Sequence, residues 1–261
     1  MTDETGFRVG DVLTVACPFT PTRVAGGVER DHVSLEWPWW RPDPDSRFFH
    51  WNGVVALGAE ALRPDARTRS WDEMELFRTD PAPEHLKPGD MCRVGVPPTV
   101  VHVTAVDHFD PPLETGWLPR PRLAVTVLPR GLSCREVPAD SEVNGTGYEI
   151  HPGDGTPFTF DLLFRPYAFL QPGDEVADAS GRAWRFDGAW DWYAFDGEDT
   201  REGPEWPLAL LTRSGTPCDA QQTAAVSDAT ASGSHRETHL HWTRLTDATP
   251  TPQGTVTPRL R

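Results

Sequence analysis

The sequence has very little lysine and isoleucine, and it has no long hydrophobic run. Lys87 is the only lysine among 24 basic residues and Ile150 is the only isoleucine. This bias indicates a high-GC genome and not an arginine surface built for phosphate. No stretch approaches the ~18–20 apolar residues of a membrane-spanning helix, and the first residues form no secretion signal. We therefore expect a cytoplasmic protein with no membrane partner.

Cysteine pairs with metal-binding or redox spacing are also missing. Cys17, Cys92, Cys134 and Cys218 lie far apart, so no C-x-x-C motif exists and reduced thiols are expected. Positive charge is scarce as well, because 39 acidic residues face 24 basic ones and give a formal net charge of −15. Such a surface repels nucleic acid, which is therefore not expected as a partner.

The common catalytic motifs are absent. The sequence contains no G-x-S-x-G, no Walker phosphate loop, no G-x-G-x-x-G and no H-E-x-x-H. These absences exclude several large enzyme families and favour a non-catalytic protein. No cofactor is expected.

What the sequence does contain is a repeated opening followed by short strands. Residues 7–11, 86–90 and 170–174 share the form apolar-x-x-Gly-Asp, and each precedes a candidate strand. An aspartate, a tryptophan and a proline follow in each copy: Asp31, Asp110 and Asp196; Trp37, Trp117 and Trp206; Pro38, Pro119 and Pro207. We interpret each copy as a β meander that begins at a turn, in which Gly supplies positive φ and Asp bonds the backbone downstream of it.

The predicted fold class is mostly β, with tandem small β modules packed together, one short helix and a disordered C-terminal tail. The predicted divisions are a first module at 1–58, an insertion with the helix at 59–85, a second module at 86–131, an insertion with an extra strand at 132–169, a third module at 170–215 and a flexible tail at 216–261. Gly-Asp openings followed by about five short strands resemble SH3-type small barrels. This resemblance concerns the fold alone and implies no particular activity.

Polar residues cluster most densely in the second copy, around Asp107, His108 and Asp110. Imidazole and carboxylate groups at this spacing can ligate a metal or act as a base and its orienting group. Because Asp110 has equivalents in the other two copies, we interpret it as a turn residue. A metal-assisted hydrolase that uses these three residues stays an alternative.

A second histidine group lies in the tail. His235, His239 and His241 form H-x3-H-x-H, and three imidazoles could bind zinc. They lie in a low-complexity segment without a nearby carboxylate that could orient them. No metal site is therefore expected here.

Tryptophan is the most unusual feature, with 11 residues in the chain. Exposed tryptophan beside arginine and histidine is typical of protein-interaction hot spots and of stacking platforms for sugars. The candidate binding residues are Trp39, Trp40, His50, Trp51, Trp190 and Trp192. We expect a protein-interaction protein that uses exposed aromatic patches and β edges to bind another protein, and free edges also permit a homo-oligomer. The alternative is a small-ligand or carbohydrate-binding module that uses Trp39, Trp40 or Trp51 as its platform.

Overall fold

The fold is mostly β, as the sequence predicts. The computed structural model describes residues 6–26, 32–46, 51–58, 76–131, 147–189, 191–197, 203–231 and 233–246. The strands are β1 Val12–Arg23, β2 His32–Glu36, β3 Arg41–Pro42, β4 Val54–Gly58, β5 Arg78–Asp80, β6 Met91–His108, β7 Trp117–Leu118, β8 Leu123–Pro129, β9 Tyr148–Ile150, β10 Thr159–Phe164, β11 Asp174–Ala177, β12 Ala183–Gly188, β13 Asp191–Ala194, β14 Ala209–Arg213 and β15 Thr216–Pro217. The helices are α1 Ala220–Ala229 and α2 Ser234–Thr246.

The larger sheet is built on two long strands, β1 and β6. Its antiparallel order is β10-β1-β6-β8-β9, and β5 pairs with one end of β6. Gly95 in β6 faces a bulge of β1, where a Cβ atom would lie only 2.8 Å from the carbonyl oxygen of Cys17. Strands from residues 1–58, 86–131 and 132–169 therefore share one sheet and one buried core.

The smaller sheet contains the residues that follow 170. Its antiparallel order is β13-β12-β11-β14-β15. The expected alternation in β12 is confirmed, since Trp184 and Phe186 are buried whereas Arg185 and Asp187 are half-buried. This sheet has a core cluster of its own, and neither sheet closes into a barrel.

The three Gly-Asp turns have the same local structure. Their glycines have φ values of 89°, 88° and 86° at Gly10, Gly89 and Gly173. In each turn the aspartate carboxylate accepts a hydrogen bond from the backbone amide three residues upstream: Arg8 to Asp11, Lys87 to Asp90 and Gln171 to Asp174. The expectation of a turn is confirmed, but the expectation of a bond to the downstream backbone was wrong. The aspartate carboxylate bonds the upstream amide because the backbone downstream of it pairs with a neighbouring strand.

Buried ion pairs hold the first and third of these turns. Asp11 is almost fully buried and receives two hydrogen bonds, at 2.8 and 2.7 Å, from Arg165. Asp174 is fully buried and pairs in the same manner with Arg213, at 2.6 Å for the shortest contact. Arg8 of the first turn donates at 2.6 Å to the backbone carbonyl just before the third turn, at Leu170. Charged groups therefore join the two sheets where the turns meet.

The expected disordered tail was wrong for residues 220–246, which form α1 and α2. Helix α1 begins at Asp219 with a capping box, because its side chain accepts from the Gln222 backbone and the Gln222 side chain accepts from the Asp219 backbone. Trp242, which lies in the same predicted tail, is part of α2.

Helix α1 packs through Val226, which is buried in the core of the smaller sheet, and through a row of hydroxyl groups. Thr223 donates to the Leu210 carbonyl at 3.0 Å, and Ser227 donates to the Leu208 carbonyl at 3.1 Å. Thr230 is fully buried and its hydroxyl accepts from the Leu208 amide at 2.8 Å. The hydroxyls at 223, 227 and 230 share one helix face, so a Ser/Thr-rich segment docks on β14 by hydrogen bonds.

We expect Thr230→Val to lower the free energy of unfolding by about 1–3 kcal/mol, because it leaves the buried Leu208 amide without an acceptor. Thr223→Val is the matched control, because it removes one hydrogen bond and leaves no amide stranded. Urea unfolding of both variants measures the difference. Equal losses in the two variants would contradict this assignment.

Helix α2 lies across both sheets. Trp242 donates from its indole to the Gly10 carbonyl at 2.9 Å and its ring contacts His102 of β6. His241 contacts Phe164 of β10, and the His235 ring packs against both Tyr167 and Trp206 near the smaller sheet. His235 and His239 lie one turn apart on the same face of α2. His241 follows two residues later and therefore lies on a different face.

The remaining sequence predictions have mixed outcomes. The extra strand expected at 158–163 is confirmed as β10. The helix expected in the insertion at 59–85 begins near Ser70, which lies outside the described residues, and Pro83–His85 forms a 3-10 turn. None of the helices in the described ranges has the length and the apolar composition that crossing a membrane would require.

Candidate functional site

The main aromatic cluster of the molecule surrounds Trp40. The Trp40 ring stacks on Trp117 at 4.5 Å and 8°, and it contacts Trp37 at 5.2 Å and Trp51 at 6.0 Å. Trp37 also packs edge-on against Trp39 at 5.0 Å. Trp117 lies in β7 and the other rings come from the connections between β2 and β4, and all of them pack in or against the larger core.

The structure places the sequence-predicted binding residues at different depths. Trp39 and Trp51 are half-buried against the larger core, whereas Trp40 is only 9% exposed. Trp192 is 8% exposed and belongs to the core of the smaller sheet. The positions of His50 and Trp190 lie outside the described residues. Trp39, Trp40 and Trp51 are therefore brought together, and Trp192 packs in the other cluster.

Asp154 holds Trp40 in place. Its carboxylate accepts the Trp40 indole hydrogen at 2.8 Å and the Thr156 backbone amide at 2.8 Å. Burial raises the pKa of Asp154 from its ordinary value, and these hydrogen bonds partly oppose the rise. Thr156 accepts a second hydrogen bond from the Trp40 indole at 3.1 Å, so the ring has a fixed position.

A small pocket opens beside Trp40. It has room for about one water-sized group. Its lining includes Trp40, Phe77, Glu149, His151, Asp154 and Phe158. His151 is buried and its Nε2 lies 2.6 Å from Glu149 Oε1, while Glu149 itself is half-exposed. The hydrogen bond from His151 lowers the pKa of Glu149, so this carboxylate stays ionised at neutral pH.

Sequence reasoning missed Glu149, His151 and Asp154. The available signal was a strand residue pair, Glu149-x-His151, followed directly by a turn rich in Gly and Pro. No chemical motif marks this spacing. The pocket combines Glu149 and His151 with Trp40 and Phe77. These two aromatic residues lie more than 70 residues away in the chain and become neighbours only in the folded core.

The alternative hydrolase residues lie apart from this pocket. Asp107 and His108 are exposed at the end of β6. Asp110 is almost fully exposed in the next loop, 3.9 Å from Arg122. Within the described ranges, which contain His235, His239 and His241, no three His, Cys, Asp or Glu side chains are grouped so that they could hold a metal ion. No observation favours hydrolysis at these residues.

The outer edge of the larger sheet exposes two adjacent leucines. Among the described strands, β10 pairs with β1 only, and its side chains Leu162 and Leu163 are 49% and 48% exposed. The register with β1 is regular from Thr159 to Leu162 and shifts at Leu163, which has no partner across the pair. The edge therefore offers unpaired backbone groups beside a small apolar surface. We call Leu162 and Leu163 the β10 patch.

The smaller sheet also has an apolar edge. Tyr193 of β13 and the following Phe195 are 48% and 47% exposed, and their rings contact each other at 5.7 Å. Arg185 of β12 lies 5.0 Å from the Tyr193 ring centre and covers part of it. A cation over the ring leaves this edge less accessible than the β10 patch.

The cysteines in the described residues are unpaired thiols, in agreement with the expected reduced state. Cys17 and Cys92 are buried and Cys218 is half-buried. Burial raises the pKa of Cys17 to about 12, so its thiol is unreactive at neutral pH. Cys134 lies outside the described residues.

Comparison of the chain with protein-family models, with curated proteins and with solved structures finds no match.

Proposed function

We propose that this chain is a non-catalytic protein-interaction protein that binds an extended segment of a partner protein along β10. The observation that carries the proposal is the β10 patch on an unpaired sheet edge. An added strand would take its hydrogen bonds from the regular part of the edge, Thr159 to Leu162. Leu162 and Leu163 would supply apolar contact, which backbone pairing alone does not give.

Charge favours a partner of different sequence over a second copy of this chain. Two copies, each with a net charge of −15, repel each other, and Asp161 lies exposed on β10 itself. A basic segment is attracted by the negative charge of this chain, which raises its association rate. The partner we propose is therefore a protein with a basic, strand-forming segment.

The proposal includes a modular, SH3-like origin for the three Gly-Asp segments. Three turns with the same positive φ and the same carboxylate bond support it. Each turn glycine also donates its amide to a backbone carbonyl in or next to a strand, at Val103, Val24 and Phe186. If these turns only build the scaffold, binding must use the parts in which the segments differ, such as β10.

Leu162→Lys tests this function. We expect affinity capture from cells that produce the protein naturally to recover a partner with the wild-type chain and to lose it, at least tenfold, with the variant. A lysine on the edge opposes both apolar contact and a basic partner. Leu211→Lys is the matched control, because Leu211 is 43% exposed on β14 of the smaller sheet. It should retain the partner.

Two results would overturn the proposal. The first is a partner that both lysine variants retain equally, since β10 would then not be the contact. The second is a wild-type chain that sediments as a dimer and a Leu162→Lys variant that sediments as a monomer. In that case the occupant of the edge is a second copy of this chain.

A further inference from the structure

The pocket beside Trp40 combines aromatic rings with carboxylates. Trp40, Phe77 and Phe158 contribute rings to its lining, and Glu149 and Asp154 contribute carboxyl groups. Positive charge is attracted both to aromatic π electrons and to carboxylates. Among the described residues that line it, none is lysine or arginine, and the imidazole of His151 is held against Glu149 at 2.6 Å. The chemistry of the lining therefore matches a cation.

The size of the pocket limits which cation can enter. It has room for about one water-sized group. A primary ammonium group, –NH3⁺, is close to that size, whereas a quaternary ammonium carries three or four methyl groups around its charge. The pocket is therefore too small for the quaternary ligands that open aromatic cages bind.

The two carboxylates have different roles. Asp154 is buried and its oxygens accept hydrogen bonds from Trp40 and Thr156, so its carboxyl group has a fixed position. Glu149 is half-exposed at the pocket, where a ligand can reach it. His151 at 2.6 Å orients the Glu149 carboxylate and lowers its pKa.

We propose that this pocket binds the primary ammonium group of a ligand, with Glu149 as its ion-pair partner and the rings of Trp40, Phe77 and Phe158 around it. The ammonium group belongs either to a free small amine or to a lysine side chain of a polypeptide. The site uses none of the β10 residues, so a negative result for this pocket would leave the proposed function untouched, and the reverse also holds.

Equilibrium dialysis of labelled n-butylammonium against the full chain tests the site. We expect one saturable site, and we expect Glu149→Gln to weaken binding at least tenfold. Glu149 is half-exposed, so this variant leaves the core intact. Glu205→Gln is the control, because it makes the same charge change at an exposed glutamate near the smaller sheet. It should bind as the wild type does.

Competition separates the two sources of the ammonium group. Blocked Ala-Lys-Ala that competes more strongly than unlabelled n-butylammonium identifies a lysine side chain. Competition by n-butylammonium alone identifies a free amine, and blocked Ala-norleucine-Ala should not compete in either case. The proposal is overturned if no saturable binding occurs, if tetramethylammonium competes as well as n-butylammonium, or if Glu149→Gln binds unchanged. The first of these results would mean that the pocket holds only solvent.

Discussion

Gly10→Ala is expected to lower the free energy of unfolding by about 3–5 kcal/mol, from a left-handed backbone and from overpacking. Gly10 has a φ of 89°, and a Cβ atom there would lie 2.4 Å from the Cβ of Ala189. Ala189 belongs to the core of the smaller sheet, whereas Gly10 precedes β1 of the larger one. The substitution therefore forces the two sheets apart at this contact.

Gly89→Ala separates the two causes. Gly89 occupies the same position in the second Gly-Asp turn, with a φ of 88°, but nothing lies within 4 Å of its added Cβ. This variant should lose only the backbone part, about 1–2 kcal/mol. Urea unfolding followed by tryptophan fluorescence measures both variants. Equal losses would mean that the sheets do not touch at Gly10.

Asp178→Ala is expected to destabilise the smaller sheet by about 3–5 kcal/mol, because several buried donors lose a charged acceptor together. The Asp178 carboxylate accepts from the Trp184 indole at 2.9 Å. It also accepts from the backbone amides of Ser180, Arg182 and Glu205. Trp184 is the largest fully buried side chain, so its indole has no access to water as a replacement. The loss should appear in thermal unfolding of the full chain.

The lowered pKa of Asp178 also predicts that the stability of the fold decreases in acid. Burial by itself raises the pKa of Asp178, but hydrogen bonds from Ser180, Trp184, Arg182 and Glu205 outweigh it and lower the pKa to about 2. A lowered carboxylate pKa stabilises the fold above the unfolded value near 4, and this stabilisation is lost as the pH falls from about 4 towards 2. We expect about 2 kcal/mol of the wild-type stability to disappear over that window.

Asp178→Asn should flatten this part of the acid profile, because its side chain does not titrate. Asp196→Asn is the control, since Asp196 is partly exposed and its pair with Arg182 lies at the surface. Surface pairs contribute only about 0–1 kcal/mol, so the control should keep the wild-type slope. A wild-type stability that does not change between pH 4 and 2 would refute the assigned role of Asp178.

The sequence predicts local structure well where one residue type has one physical use. Gly in a Gly-Asp pair permits positive φ, and the turns at Gly10, Gly89 and Gly173 follow. Alternation of apolar and polar residues predicts β12 and β10 for the same reason. Such signals act over a few residues, and tertiary contacts do not reverse them here.

The C-terminal helices show where composition misleads. Residues 220–246 are rich in Ser, Thr and Ala, which is typical of disorder. The capping box at Asp219 is a short-range signal for a helix, but its docking depends on hydroxyl bonds to β14 that composition does not show. A polar segment is ordered here because the sheet offers carbonyl acceptors at the right spacing.

The candidate site was only partly predictable. The excess of tryptophan points to an aromatic cluster, and Trp39, Trp40 and Trp51 do lie together. Which of their surfaces face solvent depends on the packing of distant strands. Glu149 matters because it lines a pocket, and the β10 patch matters because it lies at a sheet edge. Both positions depend on the packing of distant strands and cannot be predicted from the local sequence.

Hydrogen exchange of β10 in the complex with the captured partner tests the central claim most directly. The backbone amides of Thr159–Phe164 that point away from β1 have no strand beside them in the described fold. We predict that partner binding slows their exchange at least tenfold and leaves β13 unchanged. Unchanged exchange in β10, with protection at β13 or elsewhere, would contradict the account.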